Sequence, residues 1–319
     1  MVQTSNNEVI LGLKGLTKSY GDLVAVRDLS LEVSAGEIFG FLGPNGAGKT
    51  TTINIICGLL KSDAGEVRIN DVLLKDHYRE CKRMIGLCPQ DLVIWEQLTC
   101  FEQLEFIGRQ YDLSHKVARK KALEILDLLG LEEKKNKLAK TMSGGMKRRL
   151  NIALALVHNP KVLILDEPQA GLDPQSRILV REYIRSLAGK MTVILTTHDM
   201  DEADRLADRI AVIDHGQLLV LDTSDNLKNS IGAGDILELK ITDGRDTEIH
   251  RLQEALPGNL RSLSYQQGTL RFMGVNIQEA LPPLLEQLRN LSLEVEDITL
   301  RKKTLEDVFI ALTGRGLRE

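Results

Sequence analysis

The chain has 319 residues, of which 43% are hydrophobic and 27% charged, a composition typical of a globular protein long enough for two domains. Its 41 basic and 45 acidic residues give a formal net charge of −4, which argues against a general affinity for nucleic acid. No apolar run approaches the roughly 18 residues needed to cross a bilayer, so any membrane spans that the protein works with must come from another chain.

The four cysteines lie in one short stretch and contain no Cys-x-x-Cys pair: Cys57, Cys81, Cys88 and Cys100. This spacing does not favour a metal site. The chain does not start with a basic segment followed by an apolar one, so we expect no secretory leader. The sequence therefore predicts four buried, reduced thiols in a cytosolic protein.

The first 160 residues divide into a β-rich part and a helical part. Residues 1–40 alternate apolar and polar side chains, which predicts an antiparallel β layer. A short apolar strand at 39–42 leads into a glycine-rich loop, and a helix is predicted behind it over 51–60. From residue 100 to 160 the apolar positions follow helical spacing.

Two apolar strands, 161–165 and 192–196, flank a predicted helix at 175–188. Strand–helix–strand units with fully apolar strands indicate a parallel sheet that is buried on both faces. The pattern changes near residue 222, so we predict a first domain over residues 1–222 and a second over 223–319.

The second domain shows the predicted order β-α-β-β-α-β, which suggests a small α+β ferredoxin-like fold. Its predicted elements are a strand at 236–241, a helix at 247–255, a hairpin at 261–272, a helix at 277–288 and a strand at 293–300. A last helix is predicted over 305–312.

A phosphate-binding loop is the strongest motif in the chain. Its pattern is Gly-x4-Gly-Lys-Ser/Thr, formed by Gly43, Pro44, Asn45, Gly46, Ala47, Gly48, Lys49 and Thr50. Glycines let successive backbone N–H groups curl around phosphate oxygens, and the following helix directs its positive end at them. Lys49 supplies a charge for the β- and γ-phosphates, Thr50 offers a hydroxyl to Mg²⁺, and Thr51 completes the predicted nucleotide-binding set.

Two carboxylates follow directly on the apolar strand before residue 166. Asp166 is placed to hold Mg²⁺, and Glu167 is placed to take a proton from an attacking water. A single Asp-Glu pair is often only surface charge. Together with the phosphate loop, the pair predicts ATP hydrolysis.

The string Met142-Ser143-Gly144-Gly145-Met146-Lys147-Arg148-Arg149-Leu150 resembles the signature of ABC (ATP-binding cassette) ATPases. In that family the signature of one subunit contacts the γ-phosphate of the ATP bound to the other. The resemblance therefore implies that Ser143, Gly144 and Gly145 bind nucleotide across a dimer interface. Met146 stands where the family usually has Gln, and Gln169 stands where it usually has Thr.

Four more positions match the family in chain order. Tyr20 resembles the aromatic residue that stacks on adenine, and Asp173, in Gly171-Leu172-Asp173, resembles the D-loop that reaches the partner's site. Gln90 resembles the Q-loop glutamine that contacts Mg²⁺ and the attacking water, and His198 resembles the switch histidine. The resemblance implies catalytic roles for Lys49, Gln90, Glu167 and His198, and metal binding by Thr50, Gln90 and Asp166.

The family also implies a fold, an ABC-type P-loop NTPase. It combines a RecA-like parallel sheet core, an antiparallel β layer and a helical subdomain, here at about 92–160, with the ferredoxin-like domain added at the C-terminus. Residues 305–315 resemble the ending of ATPases that serve ABC-2-type export permeases for drugs or polysaccharides.

The implied function is an ATPase that binds ATP and Mg²⁺ and works as a head-to-tail dimer, with two ATP molecules between the subunits. It would power a separate membrane permease from the cytoplasmic face and would bind no nucleic acid. Two alternatives stay open: a soluble mechanical or scaffold ATPase without a permease, and a nucleotide-sensing module with negligible turnover. The transported compound and the choice between homodimer and heterodimer are not predicted.

Overall fold

The computed structural model describes residues 8–242, 248–249, 251–252, 256, 258, 260–266 and 268–314. The chain divides into two compact units, of which the first ends at Ser224 and the second begins at Asp225. Each unit has its own hydrophobic core. Within the described ranges, no helix is both long and apolar enough to span a bilayer.

An antiparallel sheet forms the first layer of the first unit. Its strands are β1 (Val9–Tyr20), β2 (Leu23–Ser34), β4 (Ala64–Ile69) and β5 (Val72–Leu73), in the spatial order β2-β1-β4-β5. Alternate side chains of β2 are buried, as expected for a sheet with one face on the core. The predicted antiparallel layer is confirmed.

A six-stranded sheet carries the centre of the first unit. Its strands are β3 (Ile38–Leu42), β6 (Ile85–Cys88), β7 (Val162–Asp166), β8 (Thr192–Thr197), β9 (Arg209–Asp214) and β10 (Gln217–Asp222). The order is β10-β9-β3-β8-β7-β6, and all neighbours are parallel except the β9–β10 pair. All residues of β3, β7 and β8 are buried, which explains why these strands consist mostly of apolar residues.

Three helices form the predicted helical part: α3 (Cys100–Gln110), α4 (His115–Leu128) and α5 (Gly144–Leu156). Each begins after a Ser or Thr whose side-chain oxygen accepts a hydrogen bond from a backbone N–H in the first turn. The capping residues are Thr99, Ser114 and Ser143. The other helices of the first unit are α1 (Lys49–Ile56), α2 (Tyr78–Met84), α6 (Pro174–Ser186) and α7 (Met200–Leu206). Helix α8 (Ser224–Ser230) begins at the last residue of the first unit.

Helix α1 differs from its prediction at both ends, because it begins at Lys49 and ends at Ile56 rather than covering 51–60. Glycines explain the two boundaries. Gly48, with φ 100°, and Gly58, with φ 67°, both adopt left-handed backbone conformations that an α-helix cannot contain.

The second unit contains one antiparallel sheet of β11 (Asp235–Ile241), β12 (Leu260–Gln266), β13 (Thr269–Gly274) and β14 (Val295–Arg301). The spatial order β12-β13-β11-β14, with antiparallel neighbours throughout, is the arrangement of a ferredoxin-like sheet. Besides α8, which begins at the last residue of the first unit, the described part of the second unit contains α9 (Ile277–Asn290) and α10 (Leu305–Thr313). The helix predicted over 247–255 falls largely outside the described residues.

Candidate phosphate-binding and hydrolytic site

The loop between β3 and α1 is shaped by three glycines with different constraints. A Cβ at residue 43 would lie 2.2 Å from the carbonyl oxygen of Ile213, and one at residue 48 would lie 2.3 Å from that of Ala25. Gly46 has open space around it but a φ of 82°, which favours glycine for conformational reasons. The loop therefore depends on close backbone approaches as well as on turn geometry.

Burial separates the loop residues into two groups. Gly43, Ala47, Gly48 and Lys49 are buried, Pro44 and Thr51 are half-buried, and Asn45, Gly46 and Thr50 are exposed. The first α1 turn thus presents its N-terminal backbone at an open rim, where anions bind favourably.

The Lys49 ammonium group lies across the loop. Its Nζ donates hydrogen bonds to the carbonyl oxygens of Gly43 (2.7 Å) and Pro44 (3.1 Å), and it lies 3.8 Å from a carboxylate oxygen of Glu167. Burial lowers the pKa of Lys49, and the negative charges of Glu167 and Asp166 oppose that shift. The lysine is therefore a desolvated cation in contact with the carboxylate at the end of β7.

Asp166, the last residue of β7, accepts a hydrogen bond from a hydroxyl group on each of its two carboxylate oxygens. The Thr50 hydroxyl donates to one oxygen at 3.2 Å, and the Thr196 hydroxyl on β8 donates to the other. Because β7 and β8 are parallel neighbours with Asp166 opposite Thr196, the sheet register sets this pair. Thr196 is a site residue that the motif analysis did not single out.

Glu167 adopts an unusual backbone conformation for a non-glycine residue, with φ 49°. Its N–H donates to the Thr196 hydroxyl at 3.0 Å, and its side chain is buried. The Nδ1 atom of His198 lies 2.9 Å from the Glu167 carboxylate. This contact joins two of the four residues for which the sequence predicts catalytic roles, and it orients the carboxylate.

The donor set suits a small hard cation. Thr50 and Asp166 offer a hydroxyl and a carboxylate in mutual contact, and Mg²⁺ prefers such oxygen ligands completed by water and phosphate. No cluster of three or more His, Cys, Asp or Glu side chains in the described part of the chain is placed to hold a metal ion alone. A cation here would therefore share its coordination with a bound phosphate group.

The signature residues lie at the start of α5, beside the start of α6. Ser143 caps α5 by accepting a hydrogen bond from the Met146 N–H at 3.3 Å. Asp173 caps α6, and its carboxylate accepts bonds from the N–H (3.0 Å) and hydroxyl (2.6 Å) of Ser176. A Cβ at Gly145 would lie 2.1 Å from the Ser176 hydroxyl oxygen, so the two helix ends are in direct contact.

Met146 and Gln169, the two positions that depart from the family pattern, are both at least partly buried. The Met146 side chain packs partly buried against the core of the first unit, where no polar contact is needed. Gln169 is buried, and its backbone carbonyl oxygen accepts a hydrogen bond from the Leu172 N–H at 3.3 Å, whereas its side-chain Nε2 has no hydrogen-bond partner among the described residues.

Two further predicted site residues, Tyr20 and Gln90, also lie at the surface. Tyr20 ends β1 and is 50% exposed, with the Lys18 ammonium 5.6 Å from its ring centroid. Gln90 is exposed in the segment after β6. The backbone carbonyl oxygen of Gln90 accepts a hydrogen bond from Arg148 at 2.9 Å. Through Arg148 the Gln90 segment is connected to Asp166 and Glu167.

Arg148 is a buried residue of the site that the sequence analysis did not identify. Its guanidinium group donates hydrogen bonds to the backbone carbonyls of Asp166, Glu167 and Pro168. A signal was present in the sequence, because Arg148 lies three residues after Gly145 and four before Ile152, on the buried face of α5. A charged residue on the apolar stripe of a helix is unusual and indicates a specific partner.

Comparisons with known proteins show which proteins this chain is similar to. A sequence profile of the family described as ABC transporter matches residues 26–170. The linearmycin resistance ATP-binding protein LnrL of Bacillus subtilis is 34% identical over 97% of this chain and 100% of its own length. The daunorubicin/doxorubicin resistance ATP-binding protein DrrA of Streptomyces peucetius is 40% identical over 94% of this chain and 91% of its own.

A third relative, the Nod factor export ATP-binding protein I of Ralstonia nicotianae, is 36% identical over 97% of this chain and 95% of its own. Among solved structures, the ATP-binding cassette MJ0796, a dimer in a post-hydrolysis state with ADP and Pi, superposes with a TM-score of 0.61 and 30% identity. The match covers 67% of this chain and 98% of that one.

Proposed function

Because this chain belongs to the ABC transporter family of ATP-binding proteins, we propose that it hydrolyses ATP with Mg²⁺ between the 43–50 loop and the end of β7. The hydrolysis would drive export through a separate membrane permease. The observation that carries the proposal is the cluster at the ends of β7 and β8. There Lys49, Glu167 and His198 contact one another in series, beside the Thr50–Asp166 pair.

In this proposal the phosphates of ATP lie on the N–H groups of the loop over residues 43–50, and Lys49 turns from the loop carbonyls towards them. Thr50, Asp166 and the Gln90 side chain would hold Mg²⁺, which supplies neutralisation of the charge that develops on the phosphates. Glu167 takes the proton of the attacking water, while His198 keeps the Glu167 carboxylate oriented. Tyr20 stacks on the adenine ring.

The complete site requires two copies of the cassette. Ser143, Gly144 and Gly145 present the N-terminal backbone of α5, which suits a phosphate bound to a partner subunit. Asp173 at the adjacent start of α6 would meet the same interface. The dimeric cassette with ADP and Pi supports this arrangement, since this chain covers 98% of that structure.

Export is proposed from the relatives, whose names refer to linearmycin resistance, to daunorubicin and doxorubicin resistance, and to Nod factor export. The permease would supply the membrane spans, and the ATPase would lie at the cytoplasmic face. An exposed apolar surface formed by Leu92, Val93, Trp95 and Phe106 suits such a partner. The rings of Trp95 and Phe106 meet edge to face at 5.6 Å.

We also propose that the two units act as separate domains, with the ATPase domain over residues 1–222 and an accessory, regulatory domain over 223–319. The alternative of a soluble scaffold ATPase is less well supported, because no relative reported above has such a role. Co-purification of this chain with a six-span membrane protein is the expected result. Recovery with soluble partners alone would contradict the transport assignment.

The substitution Glu167→Gln tests the hydrolytic assignment. Removing the base should lower the ATPase rate by about 100-fold or more while leaving the phosphate loop intact. The variant should therefore accumulate an ATP-bound dimer, measured by size-exclusion chromatography with and without ATP. Glu182→Gln, at an exposed glutamate on α6, is the matched control and should hydrolyse ATP at the parental rate. Parental turnover in Glu167→Gln would contradict the assignment of Glu167 as the base.

Lys49→Ala tests the binding assignment separately. Because Lys49 supplies the charge for the β- and γ-phosphates, this change should weaken ATP binding by at least about tenfold, measured by calorimetry or filter binding. An unchanged affinity would contradict the proposed phosphate loop.

A further inference from the structure

Arg148 makes an unusually complete set of hydrogen bonds inside the first unit. It lies on α5 and is only 2% exposed. Its Nε donates to the carbonyl of Pro168 at 3.0 Å. The two terminal nitrogens bond in pairs: Nη1 donates to the carbonyls of Pro89 (2.8 Å) and Gln90 (2.9 Å), and Nη2 to those of Asp166 (2.8 Å) and Glu167 (2.8 Å).

These five bonds use the full donor capacity of the side chain, because a guanidinium group has five N–H bonds in a rigid planar fork. No carboxylate in the described ranges forms an ion pair with Arg148. Five carbonyl dipoles therefore solvate the buried cation in place of water. Such an arrangement is selective for arginine, since a lysine ammonium offers three donors and cannot reach acceptors on two sides.

The acceptors belong to two separate segments that both carry proposed functions. Residues 89–90 form the start of the segment that contains Gln90, and residues 166–168 contain the proposed base. Arg148 itself belongs to the helix that begins with the signature residues 143–145. One side chain therefore fixes the spacing between three parts of the chain: the Gln90 segment, which leads to the proposed permease surface, the 166–168 segment with the proposed base, and the signature helix α5.

The backbone of Glu167 is held from both directions by this arrangement. Its N–H bonds to the Thr196 hydroxyl on β8, and its carbonyl bonds to Arg148 on α5. A residue with φ 49° is held in a sparsely populated conformation only by its surroundings. Loss of the Arg148 bonds would let the Glu167 peptide relax and would misdirect its carboxylate.

We infer that Arg148 is a positioning residue that couples the signature helix and the Gln90 segment to the hydrolytic carboxylate of Glu167. The inference rests on the proposed function of Glu167 and Gln90. Arg148 touches neither phosphate nor metal in this account and acts only through the backbone. Its loss should therefore affect the turnover rate more than the affinity for ATP.

The neighbouring residue, Arg149, provides a matched control. Its Nη1 donates to the carbonyls of Leu129 (2.8 Å) and Gly130 (3.4 Å), which follow α4, and it makes no bond to the 166–168 segment. Arg149→Lys thus changes the same type of side chain on the same helix without changing the contacts of Glu167.

The experiment compares Arg148→Lys, Arg148→Gln and Arg149→Lys in the full chain. Steady-state kinetics give kcat and KM for ATP, and the number of functional sites is counted by ATP-binding stoichiometry. For Arg148→Lys we expect kcat per binding site to fall by about 10-fold to 100-fold, with KM changed by no more than about threefold. Arg149→Lys should retain kcat within about twofold.

Arg148→Gln is the second variant and is used if the lysine variant fails to fold. Its amide keeps two N–H donors and adds no buried charge. A parental kcat per binding site in either Arg148 variant would overturn the inference. A loss of activity that equals the loss of functional sites would also overturn it, because Arg148 would then be purely structural. Absence of turnover in the parental chain would instead contradict the proposed function itself.

Discussion

Gly144 and Gly145 are consecutive glycines of the signature motif, but the space around them differs. A Cβ at residue 145 would lie 2.1 Å from the Ser176 hydroxyl oxygen and 2.7 Å from its Cβ, whereas a Cβ at residue 144 would meet no atom within 4 Å. The first glycine of the pair is therefore free to serve the interface with a partner subunit. The second is also required by packing within its own chain.

We predict that Gly145→Ala lowers the free energy of unfolding by about 1–3 kcal/mol, as overpacking usually does, while Gly144→Ala changes it by less than about 0.5 kcal/mol. Urea unfolding measures both. The double variant Gly145→Ala with Ser176→Gly should recover part of the loss because the clashing hydroxymethyl group is removed. Equal effects of the two alanine substitutions would contradict this assignment.

Glu202, on α7, is a buried carboxyl group near the hydrolytic residues. One of its oxygens accepts a hydrogen bond from the Thr197 hydroxyl at 2.8 Å, and its other oxygen is buried and has no hydrogen-bond partner among the described residues. Burial, reinforced by the negative charges of Asp199 and Glu167, raises its pKa from 4.5 to about 7, although the Thr197 bond and the charge of Arg181 oppose the shift. Glu202 is therefore largely protonated in the folded chain at mildly acidic pH.

This shift gives a stability prediction with a definite sign. Between pH 4.5 and about 7 the folded chain binds a proton that the unfolded chain has lost, so the contribution of Glu202 decreases as pH rises through this window. In Glu202→Gln this dependence should disappear. The variant should gain stability relative to the parent between pH 5.5 and pH 8, by up to about 2 kcal/mol in urea unfolding. The same difference at both pH values would show that Glu202 keeps an ordinary pKa.

At the scale of the elements, a charged cluster links the start of α10 to β14 and β11. Arg301, at the end of β14, donates two hydrogen bonds to Asp307 (2.7 and 2.8 Å) and bonds to Glu238 on β11 at 2.7 Å. Asp307 also caps α10, since its carboxylate accepts the Thr304 N–H at 2.8 Å. Burial alone would raise the pKa of Asp307, but the bonds from Arg301 and Thr304 outweigh it and hold the pKa below 3.8.

Asp307→Asn should therefore destabilise the second unit by about 2 kcal/mol, because it breaks a buried ion pair while Glu238 still offsets the charge of Arg301. The loss should be present at neutral pH and should shrink as pH falls from 3.8 through the lower pKa of the folded chain, because the unfolded parental chain then binds a proton that the folded chain does not yet bind. Urea unfolding at pH 7 and pH 3 tests this. Asp297→Asn, on the exposed part of β14, is the control and should have little effect.

At the scale of the whole molecule, the hydrophobic clusters suggest two independent folding units. Two of the clusters lie within residues 10–213, and the third lies within residues 237–295. The cassette MJ0796, which matches 67% of this chain, exists as a structure without a counterpart of the remaining third.

We predict that a chain truncated after Thr223 folds and binds ATP with an affinity within about threefold of the parental value. Circular dichroism and ATP-binding calorimetry measure the two properties. An unfolded or aggregated product would show that the first unit depends on the second.

Much of the fold was predictable because its signals are local. Apolar strands, capping residues and glycine-rich turns depend on neighbours within a few positions, so the antiparallel layer, the central parallel strands and the ferredoxin-like strand order followed from the pattern. Helix α1 was misplaced because its limits depend on the backbone conformations of Gly48 and Gly58, which composition alone does not reveal.

The sequence by itself determined that this chain has a phosphate loop, an Asp166–Glu167 pair and a signature that needs a partner. Only the tertiary structure decided how these parts are held together. The parallel register places Thr196 between Asp166 and Glu167, and α5 brings Arg148 to both the Gln90 segment and the 166–168 segment. Such contacts join residues 19 to 58 positions apart, and their geometry arises from packing rather than from local pattern.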